Sequence, residues 1–399
     1  MTSTLISFHE DFLDLCEHIR ECGIVAFDTE FVSENSYRPE LGLLQFATPE
    51  RCVAVDPLAV QDLGTWWEIM ADKETLVLVH GGQAEIRFCL HGIGRPPQNL
   101  YDMQVAEGFR GRSYPLSYSA IVQRVLSKQV DGSQTRTDWM RRPLSDHQLE
   151  YALEDVEHVI EIHEKQTAWL KQNGRLEWVE AEIQRVIDEI VRDDGMPPWQ
   201  KLPGLHKLNR KELAVVHALA QWREDEAANT NRPVRRILRD DLLIDLARRK
   251  PKTAQQALAT RDMNRSDYRR RLDDILAVIA KAVSTPEKQL PEKPRSRRSE
   301  ASSDEQVISK LLSLSLSNRC AKLDISQTLV ANNKELTELV RHHRFGESSN
   351  GLPRLLDGWR KDVCGDLLLA VMDGKVSFRV ADKGSDTPLE FSYSDSYSE

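Results

Sequence analysis

No apolar run of about eighteen residues, the minimum for a membrane-spanning helix, occurs in the chain. The start of the chain has neither a basic segment nor a long apolar one, so no signal peptide is expected, and the protein is placed in the cytoplasm without a membrane partner. Cysteine is scarce and unpaired. The six cysteines, at 16, 22, 52, 89, 320 and 364, form no Cys-x-x-Cys pair and no metal-finger spacing, which argues for reduced thiols rather than disulfides or a zinc site. Also missing is any large excess of basic residues, since the net charge is −9. That total hides an uneven spread. Residues 1–200 carry 18 Lys and Arg against 34 Asp and Glu, residues 201–285 carry 19 against 11, and residues 286–399 carry 17 against 18. A basic section inside an acidic chain is the expected polyanion-binding surface.

At 399 residues, with 40 % hydrophobic and 29 % charged, the chain is a soluble globular protein too long for a single core. Residues 1–200 alternate short apolar runs with helical patterns. Gly23 to Phe27, Leu41 to Ala47, Cys52 to Val55 and Leu76 to Val79 read as strands, the first three as a partly antiparallel meander. Helices are expected over 59–71, from Gln83 to His91, over 102–109 and over 116–126. A further helix starts at Ser145, where Gln148 completes a capping box, and runs on toward Leu170. Residues 205–285 read as a helical bundle, 286–305 as a disordered linker, 306–380 as a second helical module and 381–399 as a polar, frayed tail.

The chemistry gathers at the end of the first apolar strand. The strand period of two puts Asp28 and Glu30 on one side, and two crowded carboxylates are costly unless a cation lies between them. Asp-x-Glu also occurs at Asp72 and at Asp155, but only the first copy closes a hydrophobic strand. Glu85 follows the next buried strand, and Tyr151 and Asp155, four apart, share a helix face. Four carboxylates without a His or Cys partner suit Mg²⁺ or Mn²⁺, and two such ions form the usual clamp for attack on a phosphodiester. Tyr151 would orient the attacking water as a hydrogen-bond donor.

These residues resemble a known family. Asp28-Thr29-Glu30-Phe31, an acid five residues after His80, and Tyr151-x-x-x-Asp155 look like the three motifs of the DEDDy 3′→5′ exonucleases, and among them of ribonuclease D. Ser133 to Trp139 with Arg141-Arg142-Pro143-Leu144 is similar to that family's lead-in to its third motif. Leu213 to Leu246, with Trp222-Arg223-Glu224 and Arg232-Pro233, looks like an HRDC domain, and residues 306–378 like a diverged second copy. The resemblance implies a ribonuclease H-like α/β domain, a mixed sheet flanked by helices, followed by two all-α HRDC-like modules. It further implies a monomeric exoribonuclease acting at RNA 3′ ends, tRNA precursors among them, with two divalent cations. Asp28, Glu30 and Asp155 would hold one cation; Asp28 and Glu85 would serve the other. Phe31 would pack on terminal bases, while Arg136, Arg141 and Arg142 beside the site, and Arg235, Arg236 and Arg239 in the basic section, would hold phosphates. One departure stands out: the family's second motif carries Asp, and here the position holds Glu85. That opens two other readings, an RNA-binding adaptor with a weakened nuclease and a DNA 3′→5′ exonuclease.

Overall fold

Val25 and Phe27 pack to one side of their strand and Ala26 to the other, and both sides are buried, as an unbroken apolar run requires. The computed structural model describes residues 4–130, 137–293, 301–346 and 351–394. That strand is β2 (Ile24–Val32). With β1 (Thr4–Ile6), β3 (Glu40–Ala47), β4 (Cys52–Val55), β5 (Leu76–Val79) and β6 (Leu100–Asp102) it forms one sheet, in the order β1-β4-β3-β2-β5-β6. The β2-β3-β4 meander is antiparallel as the sequence suggests, while β1, β5 and β6 join their neighbours in parallel. Helices α1 (His9–Cys22), α2 (Gly64–Met70) and α3 (Gln83–Ile93) cover one face through Phe12, Leu15, Trp66, Trp67 and Cys89.

The other side is built by α4 (Met103–Gly108), α5 (Tyr118–Leu126), α6 (Asp146–Glu157), α7 (Val159–Gln172) and α8 (Leu176–Asp194). The capping box of Ser145 and Gln148 starts α6 as expected. The helix does not run on to Leu170. It breaks at His158, where the Tyr118 hydroxyl donates to the Glu154 carbonyl at 2.8 Å and accepts from the His158 amide at 3.3 Å. A buried hydroxyl inserted into the helical ladder is a recognised cause of such a break.

The basic section is a separate bundle of α9 (Arg210–Thr230), α10 (Val234–Ile237), α11 (Asp240–Arg249), α12 (Ala254–Leu258), α13 (Ser266–Arg270) and α14 (Leu272–Val283). Its core is its own, with Leu213, Val216, Leu219, Leu246, Ile275 and Ile279 among the buried residues. The expected disordered linker is folded over its first part. Arg210 donates to the carbonyls of Glu287, Leu290 and Pro291, and Leu290 is buried. Residues 294–300 lie outside the described residues.

The last section corrects three expectations. It comprises α15 (Ser303–Leu323), α16 (Gln327–Val330), α17 (Asn333–Phe345) and α18 (Gly358–Arg360), the last continuing through a wide turn into α19 (Asp366–Met372). It is not all-α, and the chain after 380 is not simply a tail: β7 (Val376–Val380) and β8 (Leu389–Tyr393) form an antiparallel hairpin. Nor does it stand apart from the first domain. Leu312, Leu329, Leu339 and Trp359 share one continuous core with Phe109, Val179 and Ile183. Trp359 lies edge-on to Phe109 at 4.8 Å and stacks with Trp178 at 6.0 Å.

Candidate active site

Asp28 and Glu30 project from β2 toward α6, as their shared parity requires, and the register with β3 slips just after Glu30. The slip falls at Gly42, where a Cβ would lie 2.7 Å from the Cβ of Trp139 and 2.8 Å from its carbonyl oxygen. Only glycine admits the loop there. Trp139 is thereby buried against the sheet, its ring 6.4 Å from that of Tyr151. Arg142 fastens the same loop. Its guanidinium takes both Asp56 carboxylate oxygens at 2.7 Å and donates to the carbonyls of Gly42, Trp139 and Arg141. Burial works against ionising Asp56, but Arg142 with the amides of Leu58 and Ala59 together outweighs it and leaves that carboxyl below the usual range. Arg142 is therefore a clamp on the loop that leads into α6. Neither Asp56 nor Gly42 carries a sequence signal for this role.

Asp28, Glu30 and Asp155 are partly or wholly enclosed, and all three have raised pKa values. Asp28 is pushed well up, by burial first and then by Glu85 and Asp155. Burial, then Asp155 and Glu85, lifts Glu30 to about 8. Asp155 is raised to about 6, again by burial first, against a lowering hydrogen bond from Tyr151. No lysine or arginine among the described residues pairs with any of the four acids. Near neutral pH such a cluster keeps protons unless a cation takes their place, so cation binding would release protons. Tyr151 is itself pushed up, by burial and by the charges of Asp155 and Glu30, which makes its hydroxyl a donor rather than a base.

Glu85 comes from the first turn of α3 and is buried. Its carboxylate accepts from the Thr29 hydroxyl at 2.5 Å, and burial outweighs that bond to raise its pKa. Asp102, which the sequence reading passed over, fixes this turn. It accepts from the amides of Gly81 at 3.0 Å and Gly82 at 3.1 Å while also capping α4. An acid one residue before a helical run was the available signal. A Cβ at Gly82 would come within 2.4 Å of the Val79 Cγ2, so Gly82→Ala has to displace the start of α3 or β5. We expect a loss of about 1–3 kcal/mol in urea unfolding, partly recovered by adding Val79→Ala.

The acids are thus brought into one neighbourhood but not closed on a point. Among the described residues no three Asp, Glu, His or Cys side chains converge closely enough to ligate one ion as they stand. The donor set still fits a hard divalent cation: it is all oxygen, enclosed and without a counter-charge.

The remaining expected contacts divide. Phe31 is half-buried and lies edge-on to Phe88 of α3 at 5.5 Å, on the face of β2 opposite Asp28 and Glu30. Arg141 is exposed beside the site, and Arg136 lies outside the described residues. Arg236 is exposed, as is Arg235, whose side chain keeps 83 % of its surface beside Asp240 at 3.6 Å, whereas Arg239 is paired with both Asp241 and Asp262. His80 bonds the Leu116 carbonyl at 2.9 Å, a structural role. The basic bundle is tied to the site by the loop after β2. The Tyr37 amide donates to Asn231 at 3.1 Å, its hydroxyl to Glu224 at 3.2 Å, and the Asn231 amide to Glu40 at 2.7 Å.

Comparison with known proteins gives a consistent result. A family profile described as 3′-5′ exonuclease matches residues 4–170, and one described as HRDC domain matches residues 212–279. Ribonuclease D of Desulfotalea psychrophila is 32 % identical over 91 % of this chain and 96 % of its own length. Ribonuclease D of Escherichia coli is 28 % identical over 92 % of this chain and 98 % of its own. The crystal structure of E. coli RNase D, described as an exoribonuclease involved in structured RNA processing, superposes with a TM-score of 0.82 at 26 % identity, covering 93 % of this chain and 99 % of that one.

Proposed function

Because the chain belongs to the ribonuclease D family and is a 3′→5′ exoribonuclease, we propose that it trims structured RNA, tRNA precursors among them, as a monomer. The products are nucleoside 5′-monophosphates. The observation that carries this reading is the enclosed cluster of Asp28, Glu30, Glu85 and Asp155 without a basic partner among the described residues. The enzyme depends on divalent metal, and these four residues would hold it, as two ions of Mg²⁺ or Mn²⁺. Bound there, the ions would supply a lowered pKa for the attacking water and charge stabilisation for the leaving oxygen.

The rest is work for this chain's own side chains. The Tyr151 hydroxyl gives its one proton to Asp155; with that carboxylate taken up by a cation, the hydroxyl, high in pKa, would be free to donate to the incoming water and orient it. Trp139 backs Tyr151, and Arg142 with Asp56 holds the loop on which Trp139 sits. The acidic first domain repels RNA on its own. Arg235 and Arg236 of the bundle, with Arg141 nearer the site, offset that by phosphate contact, so binding should show little sequence preference and fall with salt.

The test is a 3′-trimming assay on end-labelled RNA and a matched DNA. Stepwise release of nucleoside 5′-monophosphates from RNA, abolished by EDTA and restored by Mg²⁺ or Mn²⁺, is the expected result. Products with 3′-phosphates, or activity indifferent to EDTA, would sink the metal reading. Salt-dependent RNA binding with no product under either ion would instead favour the adaptor.

A further inference from the structure

We propose that Thr29 is a positioning residue that holds the Glu85 carboxylate on the α3 side of β2 and thereby weakens the second of the two cation sites. The inference rests on the reading above that Glu85 serves a cation, and it goes beyond it by naming what restrains Glu85.

Thr29 lies between Asp28 and Glu30 in β2, so the strand period turns it to the opposite face, the one lined by Val25, Phe27 and the helices α1 to α3. On that face its hydroxyl meets Glu85 at 2.5 Å. Both partners are buried, so no water competes for the bond. The same residues explain why the bond exists in this chain. Gly81 and Gly82, pinned by Asp102, fix where α3 begins, and a glutamate reaches roughly 1.5 Å further than an aspartate from that fixed start. The extra methylene takes the carboxylate to the Thr29 hydroxyl. An aspartate at position 85 would stop short of it. So engaged, Glu85 closes on no point with any two other acids among the described residues. Bringing Glu85 to a cation shared with Asp28 has to break a buried hydrogen bond that no water replaces.

The experiment measures Mn²⁺ binding to the full chain without RNA, by electron paramagnetic resonance of free Mn²⁺, alongside melting curves in EDTA. Wild type should show a tighter and a weaker site. Thr29→Val, which keeps the shape and removes the hydroxyl, should tighten the weaker site about tenfold and leave the tighter one unmoved. Thr29→Ser, which restores a donor, should return the wild-type value. Glu85→Asp should bind as tightly as Thr29→Val whatever residue stands at 29, so the two changes are not additive. A Thr29→Val protein whose weaker site is unchanged or weaker overturns the proposal, provided Glu85→Ala abolishes that site. Should Glu85→Ala leave both sites intact, the premise that Glu85 serves a cation fails and the proposal with it. If the valine variant melts well below wild type, Thr29→Ala takes its place in the same cycle.

Discussion

Asp28→Asn should yield a folded protein that still binds RNA and releases nucleotide at least on the order of 10²-fold more slowly at saturating Mg²⁺ or Mn²⁺. Losing a group that merely orients a metal ligand ordinarily costs about 10–100-fold, and Asp28 is the acid that feels the charges of Glu30, Glu85 and Asp155 together. The amide keeps the shape of the side chain and removes its charge. In EDTA that substitution also relieves like-charge crowding, so the variant should melt at or above wild type. The two readouts moving in opposite directions separate a metal ligand from a structural residue, whose loss lowers both. Undiminished release, with normal melting, would remove Asp28 from the site.

The pair in β2 was legible because strand parity is a local rule, although the strand runs on to Val32 instead of ending at the pair, and Tyr151 with Asp155 because helical spacing is another. The Ser145 and Gln148 cap was legible for the same reason. What stayed hidden depended on partners distant in sequence. The clamp that Arg142 forms was one such feature, because its cationic neighbours are visible and Asp56, 86 positions away, is not. Thr29 was passed over because parity, rightly, sets it apart from the acids; its partner comes from a helix 56 positions on. Helix periodicity continues through His158, so the break forced by Tyr118 left no trace in the pattern. The last helical section reads as an independent module because apolar residues such as Leu312, Leu336 and Leu339 promise covered helix faces. Amphipathicity says that a face is covered, not what covers it.

What covers it includes a buried charge, and Glu182→Ala is the substitution expected to cost the most stability, about 3 kcal/mol or more in urea unfolding. Glu182, on α8, and Arg360, on α18, are 2 % and 3 % exposed and meet at 2.7 Å. Arg185 and Arg354 also reach Glu182, at 2.9 and 3.1 Å, but each keeps another acid when it is gone, Glu189 and Glu335 respectively. Arg360 keeps only neutral contacts among those the structure shows: the carbonyls of Leu329 and Val330 and the face of Trp359. Its charge would then be buried without a counter-ion, which is the expensive half of a broken buried pair. Replacing both partners by methionine removes the charge as well as its counter-ion, so Glu182→Met with Arg360→Met should recover most of the loss. Because the last section and the nuclease share one core, both should unfold in a single transition, while the basic bundle with its separate core is free to melt on its own. Two separate transitions for the nuclease and the last section, or a Glu182→Ala variant as stable as wild type, would show that this contact does not join them.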